Sequence, residues 1–352
     1  MKLFELGNKK YGFLNPFVIA EIGVNHEGSL DVAKRMIDAV AQSGGHAVKF
    51  QTYTADKLAT KEFSPAYWDT TKETIKSQHQ LFQKWSSFTD SDYLSLAKVA
   101  DDLGLVFMST PFDLEAVEML DSLVPAFKIA SADITNIPLI RAVGQKGKPV
   151  IVSTGAATFH EIQRVVDELV SVGCNQISLL HCVLRYPTPP NLASLNQIPK
   201  LQSMFGQQVS IGYSDHVPPT PEGLIPQLEL ASIMGCVVLE KHFTLDKSKP
   251  GNDHYHAMNA DDLAKFTVSL ARFRELFGEG EIQLKSQQQA IENARRRIVA
   301  KRDLETGEVL SHDNLIALRA NIGIEIAEWD KVVGQKLKCT VKENQPIRWS
   351  DL

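Results

Sequence analysis

The chain has 352 residues, a hydrophobic fraction of 43%, a charged fraction of 22% and a formal net charge of −5. These values are typical of a globular protein with room for one large domain and a small one. The chain has no block of basic residues, which argues against a nucleic-acid partner. No stretch approaches the roughly 20 apolar residues of a membrane helix, and the N-terminus lacks the apolar core of a signal peptide. Four scattered cysteines without CxxC spacing favour a cytoplasmic protein with reduced thiols.

Eight short apolar runs recur between residue 17 and about residue 240. The runs are Phe17–Ile22, Ala47–Phe50, Leu105–Met108, Ala126–Ala130, Val150–Val152, Gln176–Leu180, Val209–Ile211 and Cys236–Leu239. Runs that are apolar on both faces are typical of buried parallel strands, and the eight runs predict a TIM (β/α)8 barrel. A doubly wound open sheet is the alternative, but no glycine-rich dinucleotide loop follows the first run.

Segments with helical spacing lie between most of these runs. They are Leu30–Ser43, Ser91–Leu103, Leu114–Leu123, Phe159–Val172 and Pro221–Met234, and a longer one follows at Ala260–Phe277. We therefore assign residues 1–280 to the barrel domain and the polar residues 281–294 to a linker. Residues 295–352 show short β-like runs and turn pairs, which predict a small β-rich domain. A domain of this size is marginally stable alone, so we expect it to pack on another surface.

Polar side chains lie at the C-terminal ends of the predicted strands, where TIM barrels have their active sites. They are Glu21, Lys49, Gln51, Ser109, Thr110, Lys128, Ser153, Thr154, His181, Ser214, His216, Glu240 and His242. A single lysine at a strand end can simply extend to water. Two lysines, Lys49 and Lys128, that converge with several hydroxyls instead indicate a site for an anion such as a phosphate.

Two histidines, His216 in GYSDH and His242 in EKHFT, follow adjacent predicted strands. A single histidine is more often a hydrogen-bonded structural group than a ligand, whereas a neighbouring pair also fits an open divalent-metal site. Manganese or magnesium suits such a site better than closed structural zinc. Glu21 can be an ion-pair partner or a group that orients water and moves protons. Asp253 lies either in a solvated loop or in a sugar-binding lid.

Several motifs occur in order over nearly the whole chain and together resemble the sialic acid synthase family, which includes N-acetylneuraminate, legionaminic acid and pseudaminic acid synthases. The matching segments are AEIGVNHEGS, AVKFQTY, FMSTPFD, FKIASADITN, VSTGAA, RYPTPP, IGYSDH, EKHFTLDKSKPGNDH and RRRIVAKRDLETGEVL. The resemblance implies a TIM barrel followed by a small antifreeze-like (SAF) domain. It also implies a homodimer in which the small domain of one chain covers the barrel of the other.

The resemblance also implies roles for individual residues. A divalent metal, usually manganese, is expected on His216 and His242. The positions that match phosphoenolpyruvate-binding residues are Lys49, Thr110, Lys128, Ser153 and Ser214, and Glu21 matches the active-site glutamate. Sugar-side positions are Gln51, Tyr186 and Asp253, with Asp133 in place of the usual glutamate and Arg319 delivered from the partner chain. Leu184 and Arg185 also differ from the family pattern, so the resemblance does not select one sugar.

The implied activity is the condensation of phosphoenolpyruvate with an open-chain N-acylated hexosamine, either N-acetylmannosamine or a diacetamido hexose. The products would be a nonulosonic acid and phosphate, with no nucleic-acid or membrane partner. Two other classes of function stay open from the residues alone. One is a metal-dependent TIM-barrel hydrolase, and the other is a non-catalytic sugar-binding protein, which would leave the lysines and histidines at the strand ends unexplained.

Overall fold

The computed structural model describes residues 2–86, 88–251, 253–278 and 280–352, and the chain divides into two units between Phe277 and Gly278. The first unit begins with an antiparallel hairpin of β1 (Phe4–Leu6) and β2 (Lys9–Tyr11). Eight parallel strands follow in its described part: β3 (Phe17–Gly23), β4 (Ala47–Thr52), β5 (Val106–Pro111), β6 (Phe127–Ile129), β7 (Val150–Ser153), β8 (Ile177–Cys182), β9 (Ser210–Asp215) and β10 (Val238–His242). Their hydrogen-bonded order is β5-β4-β3-β10-β9-β8-β7-β6, and β6 lies beside β5. The predicted TIM barrel is therefore confirmed.

Helices surround this sheet and cover its outer face. They are α1 (Leu30–Gln42), α2 (Ala55–Leu58), α3 (Gln78–Trp85), α4 (Asp90–Asp102), α5 (Leu114–Asp121), α6 (Ile137–Gly144), α7 (Phe159–Ser171), α8 (Gln197–Phe205), α9 (Pro226–Ile233) and α10 (Ala260–Phe277). The helix predicted from Pro221 begins only at Pro226, because Gly223 forms a turn with φ +75° against the Asp262 carboxylate. Within the described residues, no helix has the length and apolar character needed to cross a bilayer.

The β1–β2 hairpin packs against the apolar layer inside the barrel. Phe4, Leu6 and Tyr11 form one buried cluster with inward-facing strand residues. Those residues include Phe17, Ile19, Ala47, Met108, Ala126, Ile151, Leu180 and Val238. Outward-facing residues of the same strands, such as Val18 and Ala20, instead pack with the helices. Burial of each large apolar side chain stabilises the fold by about 1.5–3 kcal/mol, so this layer is a rigid floor for the residues above it.

The second unit, residues 278–352, has a core of its own. It contains α11 (Gln288–Ala294), the antiparallel strands β11 (Arg296–Ala300) and β12 (Leu315–Arg319), and α12 (Trp329–Val332). Its buried apolar residues are Ile298, Ala300, Leu304, Leu310, Leu315, Ile324, Val332, Leu337, Val341 and Ile347. The short helix α11 lies within the stretch that the sequence analysis assigned to a linker, and it has no buried residue among those described.

Candidate active site

The functional side chains form the layer directly above the apolar floor of the barrel. Side chains alternate between the two faces of a strand, so a residue two positions after an inward apolar residue also faces inward. Glu21 follows Ile19 in this way, and Lys49 follows Ala47. The same step places Thr110, Lys128, Ser153, Cys182, Ser214 and Glu240 in this layer. The alternation of side chains along the eight strands therefore places one ring of polar groups directly above the apolar layer.

Two buried lysines and two hydroxyls form what we call the lysine cradle: Lys49, Thr110, Lys128 and Ser153. The Lys49 ammonium donates to Thr110 Oγ1 at 3.1 Å and forms an ion pair with Glu21. The Lys128 ammonium donates to Ser153 Oγ at 2.6 Å. The two lysines are only 3% and 2% exposed. Buried ammonium groups need anionic partners, and the pocket that both lysines line suits an anionic ligand.

Glu240, which the sequence analysis placed among the strand-end side chains without giving it a role, lies between the two lysines. Its carboxylate is 3.6 Å from the Lys49 Nζ and 3.7 Å from the Lys128 Nζ, and the Ser214 hydroxyl donates to it at 2.9 Å. Burial opposes ionisation of this carboxyl, but the two lysines and Ser214 outweigh that effect and hold its pKa below the usual range. In the sequence, its inward position is indicated by its place two residues before His242, on the same face of the strand.

Glu21 is an ion-pair partner in the structure, and its surroundings also suit the proton-transfer role that the sequence analysis left open. It pairs with Lys49, and its Oε1 accepts a hydrogen bond from the Gln51 amide at 3.1 Å. Burial raises the pKa of Glu21 to about 7, with Glu240 adding to the rise and Lys49 opposing it. A carboxyl group that titrates near neutral pH can both accept and return a proton.

Three imidazole rings meet beside the lysine cradle. The ring centroids of His216 and His242 are 5.4 Å apart, and those of His242 and His256 are 4.9 Å apart. The Asp253 carboxylate lies 3.4 Å from His242 Nδ1 and 3.8 Å from His256 Nε2. The Tyr186 ring lies 4.2 Å from that of His216. His256 is absent from the predicted site residues because it comes from the loop after β10, where strand periodicity gives no information.

The donor atoms of this cluster fit a divalent cation. One ligand atom each from His242, Asp253 and His256 lies within 4.8 Å of the others. His242 Nδ1 and both ring nitrogens of His256 are buried without a hydrogen-bond partner among the described residues. His216 Nδ1 contacts the Val183 carbonyl at 2.8 Å; since a carbonyl only accepts, this contact leaves Nε2 as the free lone pair. Unsatisfied buried nitrogens are costly, and a metal ion would satisfy the lone-pair nitrogen of each neutral ring.

A second and larger pocket adjoins the first. The pocket around the lysine cradle measures about 370 Å³ and the second about 640 Å³. Gln51, Tyr186 and His242 line both. The second pocket is rich in aromatic side chains, namely Tyr53, Tyr67, Trp68, Phe82, Trp85 and Tyr255, and its acidic residues are Glu73 and Asp253. No lysine or arginine lines it among the residues that the structure describes.

The structure brings most of the predicted site residues together. Those that line the smaller pocket are Glu21, Lys49, Gln51, Thr110, Lys128, Ser153, Tyr186, Ser214, His216 and His242. Asp253 lines the larger one. Asp133 lies outside both linings and accepts a hydrogen bond from Asn136 at 3.1 Å. Arg319 is an exposed residue at the end of β12 in the second unit.

Comparison with known protein families shows which family the chain belongs to. Residues 36–282 match the model of the NeuB family, and residues 295–352 match that of the SAF domain. The chain belongs to the NeuB family. The resemblance predicted from the sequence motifs is thereby confirmed, as is the SAF domain at the C-terminus.

Several similar proteins are synthases of legionaminic, pseudaminic or sialic acid. The chain is 35% identical to the N,N'-diacetyllegionaminic acid synthase of Legionella pneumophila, over 96% of this chain and 94% of that protein. It is 33% identical to the pseudaminic acid synthase of Helicobacter pylori, over 96% and 98% of the two chains. A crystal structure of the sialic acid synthetase of Leptospira borgpetersenii, in complex with citrate, has a TM-score of 0.71 and 34% identity, and it covers 83% of this chain and 95% of that one. These relatives support an enzyme that makes a sialic-acid-type product.

Proposed function

We propose that the chain is a cytoplasmic synthase that joins phosphoenolpyruvate to the aldehyde of an open-chain N-acylated hexosamine. The observation that carries this proposal is the direct contact between two sites of different chemistry. The lysine cradle fits a small ligand with phosphate and carboxylate groups, whereas the adjoining aromatic pocket has no lysine or arginine of the same chain among the residues that the structure describes. The imidazole cluster lies where the two pockets share His242.

The proposed reaction consumes one water and releases one phosphate. The nucleophilic C3 of phosphoenolpyruvate attacks the aldehyde carbon of the sugar, and a carbon–carbon bond forms while the aldehyde oxygen gains a proton. The oxygen of water adds at C2, which has become electron-poor. The C2–O bond to phosphate then breaks with its electron pair, leaving a 2-keto acid and inorganic phosphate.

The residues of the chain mainly bind, orient and move protons. Lys49 and Lys128 hold the phosphate and carboxylate throughout, so the electrostatic stabilisation is already in place before the reaction begins. Glu21, with a pKa of about 7, accepts a proton from the attacking water, and Gln51 orients its carboxylate. Tyr186, packed on the His216 ring, lies in both pockets and positions the sugar against phosphoenolpyruvate.

A divalent ion, Mn²⁺ in this proposal and Mg²⁺ or Co²⁺ as substitutes, would be held by His242 with His216, Asp253 and His256 around it. When bound, it supplies Lewis-acid polarisation of a substrate oxygen. The surroundings keep two of these imidazoles neutral: burial, reinforced by neighbouring histidines, lowers the pKa of His242 and that of His256 well below the usual value. Neutral imidazole is the form that binds metals.

The aromatic side chains of the larger pocket are expected to contact the faces of the sugar and its acyl group. Replacing Trp68 with alanine should raise KM for the sugar about tenfold, since an indole face of this size contributes roughly 1–2 kcal/mol to binding. KM for phosphoenolpyruvate should stay within about twofold. Steady-state kinetics in each substrate measures both, and Phe63→Ala is the matched control because Phe63 is 84% exposed in the same segment. A larger change in KM for phosphoenolpyruvate than in KM for the sugar would contradict this assignment.

We also propose that the enzyme is a homodimer in which Arg319 of one chain completes the sugar site of the other. A small second unit gains burial by docking on a partner. In a heterodimer of an Arg319→Ala chain and a Lys128→Ala chain, one site then receives both defects and the other neither. Activity should return to about half of the wild-type value per dimer, while each variant homodimer stays nearly inactive. Tandem-tag purification isolates the heterodimer, and its inactivity would contradict the exchange.

The test of the proposed function is phosphate release measured with one component omitted at a time. Release should require phosphoenolpyruvate, the sugar and the metal together, with N-acetylmannosamine and a 2,4-diacetamido hexose as the two candidate sugars. Phosphate release without any sugar would instead indicate the hydrolase. Binding of the sugar without any turnover would indicate the non-catalytic protein.

A further inference from the structure

Two charged residues, Asp215 and Lys241, lie on the helix-facing side of β9 and β10. The residues on either side of each line the smaller pocket, namely Ser214, His216, Glu240 and His242. Because side chains alternate along a strand, Asp215 and Lys241 point away from that pocket. They face each other in the β9–β10 register, and both side chains are 0% exposed.

This pair is the centre of a network that joins two strands, a loop and a helix. The Lys241 ammonium donates to Asp215 Oδ2 at 2.5 Å and to the Val217 carbonyl at 2.6 Å. Asp215 Oδ1 accepts from the Tyr213 hydroxyl at 2.8 Å and from the Val217 amide at 3.0 Å. The Gln227 side-chain amide, on α9, donates to Asp215 Oδ2 at 2.8 Å and to the Val217 carbonyl at 3.2 Å. The network therefore fixes the chain immediately before and after His216.

We propose that Asp215 and Lys241 are positioning residues that set the spacing between His216 and His242, and through it the affinity for the divalent metal. His216 directly follows Asp215, and His242 directly follows Lys241. A buried ion pair is weak evidence for stability, because apolar residues of similar volume often replace it without loss. Its directional hydrogen bonds, however, fix the register of two strands at the point where each delivers an imidazole. The kinetic part of this inference rests on the proposed function, whereas the metal-binding part does not.

The test is a double variant, Lys241→Met with Asp215→Asn, which removes both charges together and keeps the side-chain shapes. Titration with Mn²⁺, followed by the electron paramagnetic resonance of the free ion, gives the dissociation constant. We expect it to rise about tenfold or more, and kcat to fall by a similar factor. KM for phosphoenolpyruvate should change less than the metal affinity does, because Lys49 and Lys128 lie on β4 and β6, although Ser214 lies beside Asp215 on β9. Gln227→Met, a milder change that keeps both charges, should shift metal affinity in the same direction.

The control is Val166→Ala in α7, which opens a cavity in the core far from β9 and β10 in the chain and should lower thermal stability alone. Unchanged Mn²⁺ affinity and kcat in the double variant would overturn the proposal, whatever its melting temperature. If the double variant does not fold, the Mn²⁺ affinity and kcat of Gln227→Met are measured instead, and unchanged values would overturn the proposal. A wild-type protein that binds Mn²⁺ yet condenses no sugar would contradict the proposed function, while the binding measurement still decides this inference.

Discussion

Replacing Lys128 with alanine is expected to lower kcat/KM for phosphoenolpyruvate about a hundredfold or more, with KM for the sugar changing less than about threefold. The ammonium is 2% exposed and donates to Ser153 at 2.6 Å. A hydrogen bond to a charged group contributes about 1.5–3 kcal/mol, and the variant also leaves Glu240 with less positive charge nearby. Lys49→Ala should act in the same direction, because Lys49 completes the same cradle.

Steady-state kinetics with each substrate varied in turn measures this effect. Lys148→Ala is the matched control, since this half-buried lysine lies at the start of β7, away from the strand ends that form the site, and bonds the Val124 carbonyl at 3.0 Å. Its kinetic constants should equal those of the wild type. If Lys128→Ala raised only KM for the sugar, the two substrates would occupy the opposite pockets.

Removing the metal with a chelator should abolish turnover, and added Mn²⁺ should restore it. His242→Ala should weaken Mn²⁺ binding about a hundredfold or more, because His242 belongs both to the predicted ligand pair and to the set that the structure brings together. The comparison of His216→Ala with His256→Ala separates the two ligand sets. A larger loss in His216→Ala supports the pair inferred from the sequence, and a larger loss in His256→Ala supports the set with Asp253.

Titration with Mn²⁺ by electron paramagnetic resonance reports these affinities without turnover. The control is His160→Ala, an exposed histidine near the start of α7 that lies outside both pockets. Wild-type metal affinity and activity in His242→Ala would contradict the placement of the metal.

The polar ring of the barrel could be predicted from the sequence because period-two strands place their inward residues in layers. Glu21, Lys49 and Lys128 each stand two residues beyond an inward apolar residue, and the structure brings them to one pocket. Glu240 has the same pattern, but its role depends on the two lysines beside it, which belong to distant strands. Long-range contacts of this kind do not follow from local spacing.

Three features of the structure could not be predicted in this way. The strands of the β1–β2 hairpin have only three residues each, too few for a periodic signal. The aromatic pocket draws Tyr67 and Trp68 from the irregular segment between α2 and α3, where no repeat indicates which face is inside. His256 reaches the imidazole cluster from a loop for the same reason.

In the proposed reaction, C3 of phosphoenolpyruvate attacks an aldehyde, and the C2–O bond to phosphate then breaks. Phosphoenolpyruvate labelled with ¹⁸O at the bridging oxygen tests this most directly, with the ³¹P isotope shift of the released phosphate as the readout. All of the label is expected to leave with phosphate, and one nine-carbon acid is expected to form for each phosphate released. Unlabelled phosphate, with the label kept in pyruvate or in the acid, would show P–O cleavage and contradict the account.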